Sequence, residues 1–233
     1  MHLAIIPARG GSKRIPRKNI LEFRGKPMIV WSIAAALQSN CFDHVVVSTD
    51  DPEIAEVARA HGAVTPFIRP AELSDDFTPT LPVLKHAVEA SEKAFGSSLE
   101  TGCCLYATAP FVTPNALIRG RDLLQHHPDL DYAVSVTSFP FPIQRALMLE
   151  KNQQLSMVHP EHEMTRSQDL PERYHDAGQF YWFRRAPIFA NKGFFSSATA
   201  PVILPRERVQ DIDTLEDWRC AELAHELLSH RTT

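Results

Sequence analysis

The sequence predicts an α/β fold in which helices cover both faces of a mostly parallel sheet. Short apolar runs with the length of buried strands recur along the chain, at residues 3–6, 44–48, 103–107 and 132–137. Segments with helical periodicity, each about 10–15 residues long, separate these runs. This alternation is typical of a Rossmann-like sheet, in which ligands bind beyond the carboxyl ends of the strands.

The first two helices are indicated by their ends and their apolar stripes. Gly25-Lys26-Pro27 is expected to open the first helix, because proline in a first turn loses no hydrogen bond. Ile33 and Leu37 belong to its predicted inner stripe. Asp51 is expected to cap the second helix, and Gly62 is placed to end it.

The later elements follow the same rules. Helices are predicted to start at Thr80-Leu81-Pro82 and at Thr113-Pro114. The aromatic run 179–183 predicts a strand that belongs to the core rather than to a stacking surface. A closing helix buries Trp218, and residues 230–233 are expected to fray.

Length, charge and cysteine content limit the class of protein. The chain has 233 residues, enough for one domain, 1–233, with a sizeable core. Its formal net charge of −4 argues against binding nucleic acid through overall electrostatics. The four cysteines lack C-x-x-C spacing, and we expect neither a signal peptide nor a membrane span. These features predict a cytoplasmic protein.

Residues 7–20 combine a strand end, paired glycines and dense positive charge. Pro7 is expected to stop the first strand, and Gly10 and Gly11 permit crowded or left-handed backbone. No acidic residue precedes Glu22, whereas the segment holds five cations: Arg9, Lys13, Arg14, Arg17 and Lys18. Backbone N–H groups and guanidinium forks suit phosphate oxygens, so the segment predicts a polyphosphate cradle.

Two familiar phosphate motifs do not account for this segment. Arg14 stands where a P-loop requires a hydroxyl, and no glycine follows at the spacing of the dinucleotide fingerprint. A solvated basic loop is the simpler alternative. Such a loop has little need of Pro7, Pro16 and a glycine pair, which favours phosphate binding.

The segment IPARGGSKRIPRKNI resembles the N-terminal signature of the CMP-sugar synthetases, cytidylyltransferases that act on eight- and nine-carbon sugar acids. Further motifs follow in matching order over about residues 3–218: VSTDD, RPAELSDDFT, YATAPF, TRSQDLPERYHDAGQFYW and DIDT. The resemblance implies an enzyme that transfers CMP from CTP to the anomeric hydroxyl of a nonulosonic acid and releases pyrophosphate.

The resemblance also assigns residues to the nucleotide. Arg9 and Lys18 are expected to act in catalysis, by binding the phosphates and stabilising the charge on the leaving group. Asp50 and the loop after Arg69 lie near the expected nucleotide, although a capping cluster and an ordinary polar loop explain them equally well. The predicted nucleotide-binding residues are Ala8, Arg9, Gly10, Gly11, Ser12, Lys18, Asn19, Arg69, Ser74 and Thr80.

A second set of residues is expected to bind the sugar acid. Tyr106 occupies the position of a glutamine in sialic acid synthetases, and Ala177-Gly178 replaces their asparagine-glycine. These departures favour pseudaminic acid as acceptor over N-acetylneuraminic acid. Arg166 would clamp the carboxylate, and His175 is a weak candidate for the base. The predicted sugar-binding residues are Tyr106, Arg166, Gln168, Tyr174, His175 and Gln179.

Asp211 and Asp213 form the second decisive pattern. In an extended segment both carboxylates point to one face, which suits Mg²⁺ with retained waters and phosphate oxygens. By spacing alone, Asp213 or Thr214 could instead cap the final helix. The resemblance places a metal-binding D-x-D at this point, so Asp211 and Asp213 are predicted Mg²⁺ ligands and Asp211 also a catalytic residue. They are expected to converge with Arg9 and Lys18 on one triphosphate.

Residues 139–176 interrupt the α/β pattern and are interpreted as an excursion from the main sheet. In the resembling family such an excursion packs on a second subunit, which implies a homodimer. His159 and His162 within it do not have zinc-site spacing.

Two other classes remain as alternatives to a CMP-sugar synthetase. A nucleotide-binding module without turnover would have the same fold, and it would tolerate the loss of Asp211 and Asp213. A Rossmann oxidoreductase is disfavoured by the missing dinucleotide fingerprint.

Overall fold

A computed structural model describes residues 1–230; the final residues 231–233, part of the segment predicted to fray, lie outside the described residues. The strands are β1 (His2–Pro7), β2 (Glu22–Phe23), β3 (Lys26–Pro27), β4 (His44–Ser48), β5 (Thr101–Leu105), β6 (Tyr132–Ser138), β7 (Leu147–Leu149), β8 (Leu155–Met157), β9 (Tyr174–Arg184) and β10 (Thr199–Ile203). The helices are α1 (Met28–Ser39), α2 (Pro52–Ala60), α3 (Thr80–Phe95), α4 (Pro114–His126), α5 (Arg185–Phe189) and α6 (Leu215–His230).

Six strands form the central sheet in the order β10-β6-β9-β5-β1-β4. The parallel pairs β1–β4, β1–β5 and β10–β6 confirm the predicted mostly parallel α/β architecture. β9 runs antiparallel between β5 and β6, which the sequence did not predict. Because of this reversal, the first residues of β9 lie at the edge where the parallel strands end.

The core has one apolar layer on each face of the sheet. β1 buries Leu3 to Ile6 completely, as expected for a strand covered on both faces. Phe180 and Trp182 of β9 pack with α1 and α4 residues, while Tyr181 and Phe183 join the opposite layer. The aromatic strand therefore belongs to the core, as predicted.

Two helix details differ from the sequence expectations, whereas the expected end of α2 at Gly62 is confirmed. α1 begins at Met28, because Lys26–Pro27 pairs with Glu22–Phe23 as a short strand. Leu37 is 42% exposed, so its predicted inward position is wrong. Gly62 lies two residues beyond the end of α2, in a left-handed conformation with φ of +89°.

The predicted excursion has no place in the central sheet until β9 begins at Tyr174. It consists of short 3₁₀ turns and the antiparallel hairpin of β7 and β8. Phe141, Leu149 and Met164 expose 80%, 69% and 91% of their surface, respectively. None of the helices within residues 1–230 has both the length and the apolar character that crossing a membrane requires.

Candidate functional site

Two adjoining cavities lie beyond the carboxyl ends of β1 and β5, where open α/β sheets bind ligands. The basic cavity, of about 500 Å³, is lined by residues that include Arg9, Ser12, Lys13, Arg14, Lys18, Asn19, Arg69, Asp76, Thr80 and Tyr106. The acidic cavity, of about 580 Å³, is lined by residues that include Lys18, Tyr106, His175, Asp176, Tyr181, Asp211 and Asp213. Lys18, Tyr106 and Thr108 line both cavities and form their common border.

The loop after β1 is held by its own polar contacts. The Gly10 N–H donates to Asp50 Oδ1 at 3.1 Å, and the Asn19 amide donates to the Arg9 carbonyl at 3.0 Å. Arg17, in a left-handed conformation, pairs with Asp51 and Glu53. The guanidinium lowers the pKa of the Asp51 carboxyl. Arg17 therefore tethers the loop to α2, while the four other cations line the basic cavity.

Position 10 requires glycine because its backbone lies close to the Asp51 side chain. A Cβ at Gly10 would lie 2.6 Å from Asp51 Oδ2, whereas a Cβ at Gly11 would meet no atom within 4 Å. Asp51 also caps α2 by accepting from the Glu53 and Ile54 N–H groups, so displacing it affects more than one contact.

We expect Gly10→Ala to lower the free energy of unfolding by about 1–3 kcal/mol, as overpacking usually does. The measurement is thermal or urea denaturation, with Gly11→Ala as the matched control. Equal stability of the two variants would contradict the close approach.

The basic loop and the C-terminal carboxylates meet at the border of the cavities. Lys18 Nζ donates to the Ile212 carbonyl at 2.6 Å and lies 3.4 Å from Asp213 Oδ1. Arg14 Nη1 donates to Asp213 Oδ2 at 2.6 Å. The structure thus brings together two predicted groups that lie almost 200 positions apart in sequence.

Thr214 and Asp217, rather than Asp213, cap helix α6. The Asp217 carboxylate accepts from the Thr214 N–H and hydroxyl, both at 2.7 Å, and Thr214 Oγ1 accepts from the Asp217 N–H at 3.2 Å. This reciprocal pair is a capping box at the start of α6. The hydrogen bond from Thr214 lowers the pKa of Asp217. The Asp213 carboxylate is therefore not used in the cap.

The carboxylates of Asp211 and Asp213 suit a hard divalent cation whose other ligands are oxygen atoms from water or substrate. Asp211 and Asp213 line the same cavity, and within residues 1–230 no ion pair involves Asp211. No group of three or more metal-ligating side chains occurs in this part of the chain. Two carboxylates completed by waters and substrate phosphates are a normal Mg²⁺ environment, whereas an all-protein cage is not available here.

Arg69 is a buried cation with unused donors. Its side chain is only 4% exposed, and its Nε and Nη2 atoms have no hydrogen-bond partner within residues 1–230. The nearest carboxylate oxygen, Asp50 Oδ1, lies 3.8 Å from Nη2, beyond hydrogen-bonding distance. Burial lowers the pKa of Arg69. Donors of this kind at a cavity wall indicate a polar ligand.

Asp76 is a cavity residue that sequence reasoning missed. It pairs with both Arg9 and Lys13, which lowers the pKa of its carboxyl. The pattern of the loop 69–78 offered no signal for this, because Asp75 and Asp76 are adjacent and only the fold decides which one turns inward. Asp75 instead accepts hydrogen bonds from Phe77 and Thr78 within the loop.

A chain of hydroxyl groups crosses the border between the cavities. The Thr80 and Tyr106 hydroxyl oxygens are 3.3 Å apart, and the Tyr106 ring lies 5.6 Å from that of Tyr181. The Tyr181 hydroxyl donates to Asp176 Oδ2 at 2.6 Å. Burial raises the pKa of both tyrosines, so both keep their protons. Tyr181 and Asp176 were not among the predicted site residues.

Only some of the remaining predicted nucleotide-binding residues line the basic cavity. Ala8 is buried under the loop, where its N–H donates to the Ser48 carbonyl at 2.9 Å. Ser12, Asn19 and Thr80 line the basic cavity. Ser74 donates to the Pro70 carbonyl at 3.0 Å and lies outside the lining of either cavity.

The predicted sugar-binding residues differ in whether they line the acidic cavity. Tyr106 and His175 line the acidic cavity, whereas buried Gln179 donates to the Arg208 carbonyl at 2.5 Å behind it. The other three do not line either cavity of the single chain. Arg166 pairs with Asp169, Tyr174 donates to Glu172, and Gln168 is exposed; all three belong to the excursion or its end.

Residues 3–217 match the cytidylyltransferase family, and the chain belongs to that family. Two relatives from Campylobacter jejuni strains, both described as pseudaminic acid cytidylyltransferase, are 42% and 43% identical over 227 residues, which is 97% of each chain. A CMP-N,N'-diacetyllegionaminic acid synthase from Legionella pneumophila is 34% identical over 97% of this chain and 96% of its own.

Solved structures show the same fold at lower identity. A CMP:2-keto-3-deoxy-manno-octonic acid synthetase complexed with CTP superposes with a TM-score of 0.69 at 20% identity, over 99% of both chains. A 4-diphosphocytidyl-2C-methyl-D-erythritol synthase from Anaerococcus prevotii gives 0.64 at 13% identity, over 97% and 98% of the chains. The predicted family and fold class are both confirmed.

Proposed function

We propose that the protein transfers CMP from CTP to the anomeric hydroxyl of pseudaminic acid, giving CMP-pseudaminic acid and pyrophosphate. The observation that carries this proposal is the pair of adjoining cavities with Lys18 on their border. One cavity has the charge for a triphosphate, and the other has the hydroxyl and carboxylate groups that recognise a polar sugar. The near-full-length relatives described as pseudaminic acid cytidylyltransferases support this acceptor.

The nucleotide would occupy the basic cavity. Arg9, Lys13 and Arg14 would bind the triphosphate together with Lys18, and Arg69 would donate to an oxygen of the nucleotide through its unused N–H groups. Asp76 would have to release Arg9 and Lys13 as the phosphates arrive, because the carboxylate and the phosphates use the same donors.

The metal in this proposal is Mg²⁺, held by Asp211 and Asp213. When bound, it would neutralise phosphate charge in the reacting complex. Lys18 and Arg14 keep the Asp213 carboxylate oriented toward the border of the cavities, where the phosphates would lie.

The sugar acid would occupy the acidic cavity. Its anomeric oxygen would form a bond to the α-phosphorus while the bond to the departing pyrophosphate breaks in line. The proton of the anomeric hydroxyl would pass to a bound water or to His175, which lines this cavity. Tyr106, Tyr181 and Asp176 would position the sugar, since neutral hydroxyls and one carboxylate suit hydroxyl and amide groups. Holding the two reactants in one geometry supplies much of the rate in such a transfer.

The decisive test is pyrophosphate release from CTP and Mg²⁺ with a panel of acceptors. We expect turnover with pseudaminic acid and a much lower kcat/KM with N-acetylneuraminic acid. A preference for N-acetylneuraminic acid would mean that this sugar, and not pseudaminic acid, is the acceptor. If no nonulosonic acid led to pyrophosphate release, the result would favour a nucleotide-binding module.

We expect Arg69→Met to raise the KM for CTP by about 10–100-fold, because a hydrogen bond to a charged group contributes about 1.5–3 kcal/mol. Folding stability should stay equal or rise, since the variant removes a buried cation whose Nε and Nη2 atoms have no hydrogen-bond partner within residues 1–230 and whose ion pair with Asp50 is long, at 3.8 Å. Arg59→Met is the matched control, because Arg59 lies on α2 and donates to Thr65 at 2.7 Å. An unchanged KM would contradict a role for Arg69 in binding the nucleotide.

We also propose that the protein works in the cytoplasm as a homodimer joined by the excursion. All four cysteines are free, which is usual in a reducing compartment. The exposed side chains of Phe141, Leu149 and Met164 provide apolar surface for a second copy, and Arg166 lies on the same excursion. The partner subunit would then bring its Arg166 toward a neighbouring acidic cavity.

Replacing Leu149 by glutamate is expected to convert the dimer to monomers, because an apolar interface does not tolerate an unpaired charge. Sedimentation velocity measures the change, and Leu223→Glu, at an exposed position of α6, is the control. A wild-type protein that sediments as a monomer would contradict the proposal.

A further inference from the structure

A third cavity lies between α1 and α6, away from the lining of the other two. This α1–α6 cavity has a volume of about 230 Å³ and is lined by residues that include Lys26, Trp31, Phe111, Arg208 and His225. It shares no lining residue with the basic or the acidic cavity. The proposed transfer reaction therefore does not account for it.

The α1–α6 cavity is lined by two cations, Lys26 and Arg208, and no acidic residue is among its lining residues within 1–230. Arg24, close to it, pairs with Glu226 at 3.3 Å. By contrast, within residues 1–230 neither Lys26 nor Arg208 has a carboxylate partner. Burial lowers the pKa of His225, and the nearby charges of Arg24, Lys26 and Arg208 lower it further. Such an excess of cations is unexpected in a chain whose formal net charge is −4.

Aromatic packing holds these groups in place. Lys26 Nζ lies 4.1 Å from the centre of the Trp31 ring, a cation–π contact. The His225 ring lies 4.3 Å from Trp31, 5.6 Å from Phe23 and 5.8 Å from Phe111. Lys26 and His225 are therefore arranged before any ligand arrives, which reduces the entropy lost on binding.

We propose that the α1–α6 cavity binds a small phosphate-class anion through Lys26, Arg208 and His225. A volume of about 230 Å³ suits one or two phosphoryl groups and is too small for a nucleotide. Concentrated cations without acids are the usual means of recognising such groups. Arg208 directly precedes the segment 209–213 of the acidic cavity, and Phe111 follows the border residue Thr108 in the same loop. Two chain segments therefore connect the α1–α6 cavity to the acidic cavity and to the border of the two cavities.

Trp31 provides the readout, because it is part of the cavity. The wild-type protein is titrated with inorganic phosphate and, separately, with pyrophosphate, at constant ionic strength set by chloride, and tryptophan fluorescence is recorded. We expect a saturable change that Trp31→Phe removes, since Trp31 lines the cavity. Trp182 is buried in the sheet core, and Trp218 belongs to the same hydrophobic cluster as Trp31 but does not line the cavity. The two titrations show whether one phosphoryl group or two fit better.

Substitutions distinguish anion binding in the α1–α6 cavity from anion binding in the basic cavity. Arg208→Gln and Lys26→Gln should each weaken anion binding at least tenfold, whereas Lys13→Gln in the basic cavity and Lys85→Gln, whose ammonium bonds Asn191, should leave it unchanged. Melting curves verify that each variant is folded. A missing saturable response, an equal response to chloride, or a response that Lys13→Gln removes and Arg208→Gln retains would overturn the proposal.

Discussion

Replacing Lys18 by methionine is expected to lower kcat/KM for CTP by about 100–1,000-fold, the usual cost of removing one donor aimed at developing charge. Lys18 is the cation on the border of the cavities, and its side chain is only 17% exposed. Its ammonium is fixed by the Ile212 carbonyl, so it is positioned before the phosphates arrive. Methionine keeps most of the side-chain volume and removes the charge.

Steady-state pyrophosphate release measures this effect, and Lys85→Met serves as the control because Lys85 lies outside both cavities. The melting temperature of Lys18→Met should stay near that of the wild type if the role is catalytic. Activity within threefold of the wild type would contradict the role assigned to Lys18.

Asp211→Asn is expected to lower kcat about 100-fold and to raise the Mg²⁺ concentration for half-maximal activity about tenfold. Asp211 gives a cleaner test than Asp213, whose loss would also leave Arg14 without its carboxylate partner. Initial rates at saturating CTP over a range of Mg²⁺ concentrations measure both effects.

Glu216→Gln is the matched control for Asp211→Asn, since it removes an exposed carboxylate from the first turn of α6. It should leave the Mg²⁺ dependence unchanged. If the two variants respond equally, the effect is one of general surface charge, and the D-x-D pair does not hold the metal.

The parts of the fold that local chemistry determines could be predicted from sequence. Asp51 and Thr113 cap their helices as expected, because capping depends on a few neighbouring atoms. The contact between Lys18 and Asp213 was also predictable, but only through the resemblance to the CMP-sugar synthetases. Spacing alone left Asp213 as a possible cap, and the Thr214–Asp217 pair that removes this alternative is visible only in the structure.

The contact between Tyr181 and Asp176, which the sequence analysis missed, depends on an irregularity within a strand. Tyr181 lies in an aromatic run that has the pattern of core, and its neighbours Phe180 and Trp182 are core. Its hydroxyl nevertheless reaches Asp176 on the same strand. Val134 of β6 pairs with Tyr181 and Val136 already pairs with Asp176, so an irregularity in β9 brings these two residues together. Periodicity does not reveal where the register of a strand shifts, so this contact could not be predicted from the sequence.

The excursion leaves the sheet and returns to it through neighbouring positions. Ser138 at the end of β6 pairs with Tyr174 at the start of β9, and the Phe139 N–H donates to the Arg173 carbonyl at 3.0 Å. Insertions and deletions between these anchors can therefore accumulate without shifting the register of any central strand. The surface carried by residues 139–173 can therefore change during evolution without displacing the strands that position the phosphate-binding residues.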